Sequence, residues 1–319
     1  MKCVRAVERD GRIVADLVDV PIPVPGPGEV LVRVHASGVN RADLSQIAGR
    51  YPPPPGESEI LGLEVSGRIA DTDEPVCALL GGGGHAEYVA VPTGQLLPAP
   101  ASMDLVTAAG IPEAFLTAFV TLIVEAQLGA GQHALIHAGA SGVGLAAIQV
   151  AKLTGAMVAA TTRTKAKQAA MQAAGADLTI VSSEADVAAE IERSWGADVI
   201  DVVLDPIGAA TFASDLRLLR TGGRIVVIAT LAGTRTELDL SLLMKKRARV
   251  IGSTLRARSR EEKAHLVGRF RSEMLHAFNT GRLRVTVDSI EPAAQAAQAF
   301  QRLKDNVSVG KVLIGWSHD

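Results

Sequence analysis

Hydrophobic positions in the first third of the chain follow the alternation that is typical of strands with one buried face. In GEVLVRVHASGV, Val30, Val32 and Val34 occupy every second position, and the segments EVSGRIA and AEYVAVP have a similar strand-like character. The proline- and glycine-rich stretches PVPGPG and PPPPG separate the predicted strands. Residues 1–116 are therefore predicted to form a β-rich domain.

A different pattern follows the helix predicted for EAFLTAFVTLIVEAQ. From His133 onward, short apolar runs alternate with helical stretches; the runs are HALIHA, AMVAAT, LTIVSS, ADVIDVVLD, RIVVIAT and ARVIGSTL. Glycine commonly ends a helix, and the helices between these runs are predicted to stop at Gly155, Gly175, Gly196 and Gly222. This βαβ alternation predicts an α/β domain with a doubly wound parallel sheet over residues 117–254.

The last segment, residues 255–319, has mixed character. A helix is predicted in EPAAQAAQAFQRLKDN and a strand in GKVLIGW. Because the segment carries too little apolar sequence for a third core, it is predicted to return to the first domain and complete it.

Composition narrows the classes of function. The chain has 319 residues, 48% hydrophobic and 21% charged, with a net charge of −2. These values are typical of a globular protein and give no field that would attract nucleic acid or an anionic membrane. The first residues contain no apolar core of a signal peptide, so a cytoplasmic protein is expected. Cys3 and Cys77 are too few for a disulfide framework or a multi-cysteine metal site. The expected partners are small molecules or further copies of the chain.

A glycine-rich loop is the first candidate binding site. The sequence HAGASGVG lies after a predicted strand and before a predicted helix, as does the G-x-G-x-x-G motif that binds a dinucleotide pyrophosphate. Ser141 replaces the second glycine, and its hydroxyl is predicted to bond a phosphate or the substrate. The alternative is a tight turn of the kind found in any α/β protein. The predicted cofactor-binding residues here are Gly139, Ser141, Gly142, Val143 and Gly144.

The end of the second predicted strand indicates which cofactor binds. NAD-binding proteins place an acid here for the ribose hydroxyl, but this chain has no acid between Glu125 and Asp177. The sequence TTRTKAK instead offers Thr164 for a 2′-phosphate, with Arg163 or Lys167 as the positive charge. The alternative is a solvated, basic start of a helix. The cofactor is therefore predicted to be NADP, as NADPH.

Several motifs together resemble one family. The sequences NRADL, YPPPPG, ILGLEVSG, HAGASGVG with AAIQVAK, LDPIG and GKVLIG look like the zinc-independent quinone oxidoreductases of the medium-chain dehydrogenase/reductase superfamily, the zeta-crystallin-like group. The resemblance covers nearly the whole chain. It implies a β-rich, GroES-like catalytic domain beside a Rossmann domain, and commonly a homodimer paired through the sheet edge that ARVIGSTL would supply.

The same resemblance bears on metal binding. Alcohol dehydrogenases of the superfamily hold zinc on a cysteine and on the histidine of a G-H-E triplet, but this chain has Gly38-Val39-Asn40 and Gly62-Leu63-Glu64 at those places. No metal site is therefore predicted, and the lone His85 in its glycine-rich loop does not replace the missing ligands. The absence of these ligands argues for hydride transfer to an acceptor that needs no zinc.

The resemblance also implies the catalytic residues. It places Asn40 and Tyr51 beside the nicotinamide as hydrogen-bond donors to the reduced oxygen, brings Ser141 close to the nicotinamide, and makes Arg256 line the cofactor cleft. Tyr51 leads into four prolines, which favour a stiff, extended arm. The alternatives are a loop-capping Asn40, a Tyr51 that only packs, and a solvated Arg256.

Departures from the family leave the acceptor open. Ser45 stands where some relatives carry a second tyrosine, and the loop at residues 68–80 is shorter than usual. The leading hypothesis is an NADPH-dependent quinone oxidoreductase. The alternatives are an enoyl or enone double-bond reductase on the same scaffold, and a protein that binds NADPH without catalysis, as a sensor or structural protein.

Overall fold

The computed structural model describes residues 1–9 and 11–316. The chain divides into two compact units: unit 1 comprises Met1–Leu116 and Leu255–Asp319, and unit 2 comprises Thr117–Thr254. The chain thus leaves unit 1 once, builds unit 2, and returns. The catalytic and cofactor-binding roles expected of these segments stay predictions. No helix in the described part of the chain is long and apolar enough to span a membrane.

The strands are β1 Lys2–Arg9, β2 Arg12–Asp19, β3 Glu29–Val39, β4 Glu64–Ile69, β5 Pro75–Leu79, β6 Tyr88–Pro92, β7 Leu96–Pro98, β8 His133–Ile136, β9 Met157–Thr162, β10 Leu178–Val181, β11 Ile200–Asp205, β12 Leu219–Val227, β13 Arg249–Gly252, β14 Val287–Pro292 and β15 Lys311–Gly315. The α-helices are α1 Arg41–Ile47, α2 Leu105–Ala108, α3 Pro112–Phe119, α4 Gly142–Leu153, α5 Gln168–Ala173, α6 Val187–Trp195, α7 Ala209–Leu218, α8 Leu240–Lys246, α9 Arg260–Asn279 and α10 Ala296–Lys304.

Unit 1 is organised around a mixed sheet in which the returning segment supplies two strands. The strand order is β14-β15-β3-β4-β5-β7, and β6 also pairs with β3. The alternation in β3 places Val32 and Val34 in the core. Strand β15 runs antiparallel to β3, with Val312 opposite Val39. The last segment therefore completes the first sheet.

Helix α9 was not predicted from the sequence. It begins at a capping box, in which Ser259 Oγ accepts from the N–H of Glu262 and the Glu262 carboxylate accepts from the N–H of Ser259. Its buried residues include Leu266, Phe270 and Phe278, which share one face. The many charged residues of REEKAHLVGRFRSEMLHAFN obscured this apolar stripe in the sequence.

Unit 2 has the parallel sheet that its βαβ alternation predicted. The strand order is β10-β9-β8-β11-β12-β13, which corresponds to 3-2-1-4-5-6 and is the order of dinucleotide-binding Rossmann folds. Gly155, Gly175 and Gly196 follow helices with positive φ, as expected. The prediction for Gly222 was wrong. It lies within β12, because Leu219 already pairs with Ile200 directly after α7.

The helix predicted for EAFLTAFVTLIVEAQ is present but is not uniform. It runs as the α-helix α3 and then widens into a π-helix over Val120–Glu125. The division between the two units falls within α3, after Leu116.

Candidate active-site residues and cofactor-binding loop

The glycine loop joins β8 to α4 in a turn that excludes larger side chains. Ser141 is the N-cap of α4, and its Oγ accepts from the N–H of Gly144 at 3.0 Å. A Cβ on Gly144 would lie 2.4 Å from the carbonyl oxygen of Ala138, and one on Gly139 would lie 2.7 Å from Met171 Sδ. Both positions therefore require glycine so that strand, loop and helix can approach closely.

The start of α4 has the properties of an anion site. The helix is 12 residues long and begins at Gly142, with Val143 also in its first turn. The first N–H groups of a helix point outward and carry the positive end of its dipole. Ser141 is exposed, and its hydroxyl accepts the capping bond, so its hydrogen is left to donate. This loop therefore fits the pyrophosphate of a dinucleotide.

The predicted selectivity residues follow the carboxyl end of β9, next to the glycine loop's strand. Arg163 and Thr164 are exposed, and Lys167 is half-buried in the short turn after them. Asp177, an acid close by in sequence, instead pairs with Lys152 at 2.8 Å and belongs to the opposite end of β9. The fold thus brings Arg163, Thr164 and Lys167 into one segment, and their contact with a cofactor stays a prediction.

At the start of the glycine loop, unit 2 buries an ion pair between His137 and Asp215. His137 Nε2 lies 2.9 Å from Asp215 Oδ1, and its Nδ1 lies 3.0 Å from Thr161 Oγ1. Burial alone would lower the pKa of His137, but the Asp215 carboxylate, aided by Asp205, raises that pKa above its ordinary value. The pair links β8, β9 and α7 by groups that were not predicted.

In unit 1, Arg256 holds Tyr51 and the segment around it. Arg256 is 3% exposed, and its guanidinium donates to the carbonyl oxygens of Gly81 at 2.7 Å and Tyr51 at 3.1 Å, and to Gln46 Oε1 at 2.7 Å. The same group lies over the Tyr51 ring, 5.1 Å from its centroid. The alternative of a solvated Arg256 is therefore wrong. A contact of Arg256 with the cofactor stays a prediction.

Asn40 belongs to a buried network across β3, β4 and β15. Its Nδ2 donates to Glu64 Oε1 at 2.9 Å and to the carbonyl of Gly38 at 3.1 Å. Its Oδ1 accepts from Lys311 Nζ at 2.7 Å, and this ammonium also lies 2.5 Å from Glu64 Oε1 and 3.2 Å from the carbonyl oxygen of Val39. Both amide hydrogens of Asn40 are thus used inside unit 1.

Asp43 and His85 lie beside this network. The Asp43 carboxylate accepts from the N–H groups of Asn40 at 2.7 Å and Gly62 at 3.0 Å. His85 is fully buried, with Nδ1 2.8 Å from Ser37 Oγ and Nε2 3.5 Å from Asp43. Asn40 directly precedes α1, but its side chain makes no capping bond to the helix; the bond at this end runs from the Asn40 N–H to Asp43. Residues 1–9 and 11–316 contain no cluster of His, Cys, Asp and Glu suited to a metal ion.

Glu113, at the start of α3, contacts the same network. Its N–H donates to Glu64 Oε2 at 2.8 Å, whereas its own Oε2 is buried and has no hydrogen-bond partner among the residues that the structure describes. Burial, and next the negative charge of Glu64, raise the pKa of Glu113 to about 8, although Lys311 and Arg256 oppose the shift. Asp43 adds to it. With a pKa of about 8, this carboxyl is expected to be mostly protonated at pH 7.

Tyr51 is affected by the same groups. Burial raises the pKa of its hydroxyl, the charge of Glu113 raises it further, and Arg256 lowers it. The phenol is therefore a hydrogen-bond donor throughout the neutral range.

Several of these side chains were not predicted from the sequence, among them Glu64, Glu113, His137 and Lys311. A charged Lys311 within the apolar strand KVLIG was the available signal, since a lysine in a buried strand needs a partner. The partner itself lies 247 positions away in sequence. Glu113 had no local signal, because its neutrality depends on burial.

Comparison with known proteins defines the class. The alcohol dehydrogenase GroES-like domain matches residues 26–101, and the zinc-binding dehydrogenase family matches residues 142–270. With the parallel sheet and the glycine loop, these matches define an oxidoreductase that joins a GroES-like domain to a Rossmann domain. The predicted fold class is confirmed.

Individual relatives give the family. A quinone oxidoreductase of Sus scrofa is 29% identical over 309 residues, which cover 93% of this chain and 92% of the relative. The structure of the quinone oxidoreductase from Thermus thermophilus, also solved with NADPH, is 34% identical with a TM-score of 0.84, covering 99% and 100% of the chains. An NAD-dependent alcohol dehydrogenase structure is 27% identical with a TM-score of 0.84, covering 99% of both chains. The chain belongs to the medium-chain dehydrogenase/reductase superfamily, with the zinc-independent, zeta-crystallin-like quinone oxidoreductases.

Proposed function

We propose that the chain is an NADPH-dependent quinone oxidoreductase that acts without zinc. The observation that carries this proposal is the fixed position of Tyr51, whose ring and backbone carbonyl both contact the buried Arg256. A hydroxyl on such a support is a preorganised donor for an oxygen that gains negative charge. The quinone oxidoreductase of Thermus thermophilus, solved with NADPH, supports the choice of cofactor and acceptor class.

The cofactor-binding roles follow from unit 2. The first turn of α4 and the Ser141 hydroxyl would bind the pyrophosphate, and Gly139 and Gly144 give it room. Arg163, Thr164 and Lys167 would bind the 2′-phosphate. Bound NADPH would supply a hydride from its nicotinamide ring.

Unit 1 would supply the polar groups around the acceptor. A quinone becomes a quinol by taking up one hydride and one proton, and the charge first develops on an oxygen. Tyr51 would donate a hydrogen bond to that oxygen. Asn40 could donate only by giving up its bond to Glu64 or to the backbone, so its main role in this proposal is to fix Lys311 and Glu64.

The experiment is a comparison of acceptors under NADPH. Wild type, Tyr51→Phe and, as the matched control, Tyr88→Phe are each given an ortho-quinone and an α,β-unsaturated ketone, and NADPH oxidation is followed by absorbance. We expect turnover of the quinone and a loss of about tenfold or more in kcat for Tyr51→Phe alone, the size typical of one removed oxyanion donor.

Other outcomes would redirect the assignment. Turnover of the enone alone would establish the double-bond reductase instead. Tight NADPH binding with neither acceptor reduced would establish a binding protein. Equal activity of Tyr51→Phe and Tyr88→Phe would remove Tyr51 from the chemistry.

The cofactor preference has its own test. Arg163→Ala and Lys167→Ala should each lower kcat/KM with NADPH and leave that with NADH unchanged, because only NADPH carries the 2′-phosphate. Arg193→Ala, on the exposed face of α6, is the control in the same unit. An unchanged ratio of the two efficiencies in both variants would exclude this phosphate site.

A homodimer is also proposed. Strand β13 ends the sheet order of unit 2, and Val250 on it is exposed, as are Leu240 and Met244 on α8. Unpaired strand edges with apolar neighbours favour pairing with a second copy. Light scattering of the wild type should give a mass twice that of one chain, and Val250→Lys should lower the measured mass to that of one chain. A wild type that is monomeric at micromolar concentration would disprove the dimer.

A further inference from the structure

The polar cluster of unit 1 contains more carboxyl groups than cations to pair with them. Lys311 pairs with Glu64. Asp43 is bonded by backbone N–H groups and lies near His85. Arg256 donates to two carbonyls and an amide rather than to a carboxylate. Glu113 is therefore left without a cation of its own among the residues described.

The groups that face Glu113 come from every part of the cluster. The negative groups are Glu64 on β4 and Asp43 on α1. The positive groups are Lys311 on β15 and Arg256, which lies at the start of the second part of unit 1. Tyr51, before the proline arm, is the neutral group. Lys311 bonds the buried carboxylate of Glu64 and only influences the half-buried Glu113 through its charge, so charge balance here favours a Glu113 that keeps its proton.

We propose that Glu113 is a positioning residue that holds this proton, and that its ionisation turns off the reduction at Tyr51. The inference rests on the proposed function, since it assigns Tyr51 to the acceptor oxygen. Its basis is the buried Oε2 of Glu113 and the bond from the Glu113 N–H to Glu64 Oε2 at 2.8 Å.

The effect on the reaction is electrostatic. Hydride transfer leaves negative charge on the acceptor oxygen next to the Tyr51 hydroxyl. A neutral Glu113 adds no repulsion, whereas an ionised one brings a second negative charge into a poorly solvated site and weakens Tyr51 as a donor. The proton on Glu113 thus keeps the site ready for an anion, and its loss at alkaline pH would slow the reaction without unfolding the unit.

The test is the pH profile of kcat/KM for wild type and Glu113→Gln, an isosteric variant that cannot ionise. Wild type should lose about tenfold between pH 7 and pH 9, because a carboxyl with a pKa of about 8 is mostly ionised at the higher value. Glu113→Gln should keep its activity over this range. Glu113→Asp should restore a pH dependence. Glu273→Gln on the surface of α9 is the control in the same unit and should behave as wild type.

A second readout does not depend on catalysis. If Glu113 is neutral in the folded chain and ionised in the unfolded one, wild-type thermal stability falls as pH rises from about 4.5 to about 8, and Glu113→Gln removes that fall. The inference would be overturned if wild type and Glu113→Gln had the same pH dependence of thermal stability, or the same alkaline inflection in kcat/KM. If no acceptor is reduced but the two proteins still differ in the pH dependence of their stability, the proposed function is wrong, whereas the conclusion that Glu113 is protonated in the folded chain is supported.

Discussion

Replacing Lys311 by methionine tests the buried network of unit 1 most directly. Lys311 is 4% exposed, and its ammonium donates to Glu64, Asn40 and the carbonyl of Val39. In Lys311→Met the carboxyl group of Glu64, itself fully buried, loses the cation that bonds it. Breaking one side of a buried pair typically costs about 3–5 kcal/mol, so the free energy of unfolding of unit 1 should fall by about this amount.

The double variant separates lost charge balance from lost packing. Lys311→Met with Glu64→Gln removes both charges, and its cost should be at least about 1 kcal/mol below that of Lys311→Met alone. Urea unfolding is followed by the fluorescence of Trp316, which is 6% exposed and donates to Ser37 in unit 1. A Trp195→Phe background removes the tryptophan of unit 2. A cost below about 1 kcal/mol for Lys311→Met, or a double variant whose cost equals the sum of the two singles, would refute the reasoning.

Three further results are expected. Gly144→Ala should abolish NADPH binding in a fluorescence titration, because its methyl group would meet a backbone carbonyl at 2.4 Å, whereas Gly129→Ala has open space and should bind normally. Arg256→Met should lower kcat with quinone about as much as Tyr51→Phe does, since it removes the contacts that hold that ring; unchanged kcat would contradict this role. Because the pKa of His137 is raised in the folded chain, its contribution to stability is fully present below the pKa of about 6.5 that it has in the unfolded chain, and is lost as pH rises through its folded pKa. His137→Gln should therefore show a smaller loss of stability with rising pH, measured by unfolding followed through the fluorescence of the tryptophan in α6.

What the sequence predicted is what depends on local pattern. The parallel sheet of unit 2 followed from the alternation of apolar runs with helical stretches, and the glycine loop followed from its place between a strand and a helix. Helix α9 was not predicted because its apolar stripe is narrow and lies among charged residues. The prediction for Gly222 was wrong because a glycine at a turn within a strand that begins early resembles the glycine that ends a helix.

The polar cluster could not be predicted for a different reason. Arg256 reaches Tyr51 across 205 positions of sequence, and Glu113 reaches Glu64 across 49. No spacing rule relates residues so far apart. The ionisation of Glu113 is set by burial among groups from several elements, which exists only once the chain has folded.

The pairing of β15 with β3 has a consequence for the order of synthesis. Unit 2 lies wholly between the two parts of unit 1, so its sheet can close while the ribosome is still adding later residues. Glu64 and Asn40 lack their bonds to Lys311 until that residue, the last of the cluster in sequence, has been synthesised. A chain that ended before β15 would contain the complete sheet of unit 2, whereas the acidic residues of the cluster in unit 1 would lack Lys311. On the proposed function, the chain would thus be able to hold its cofactor before it is able to use it.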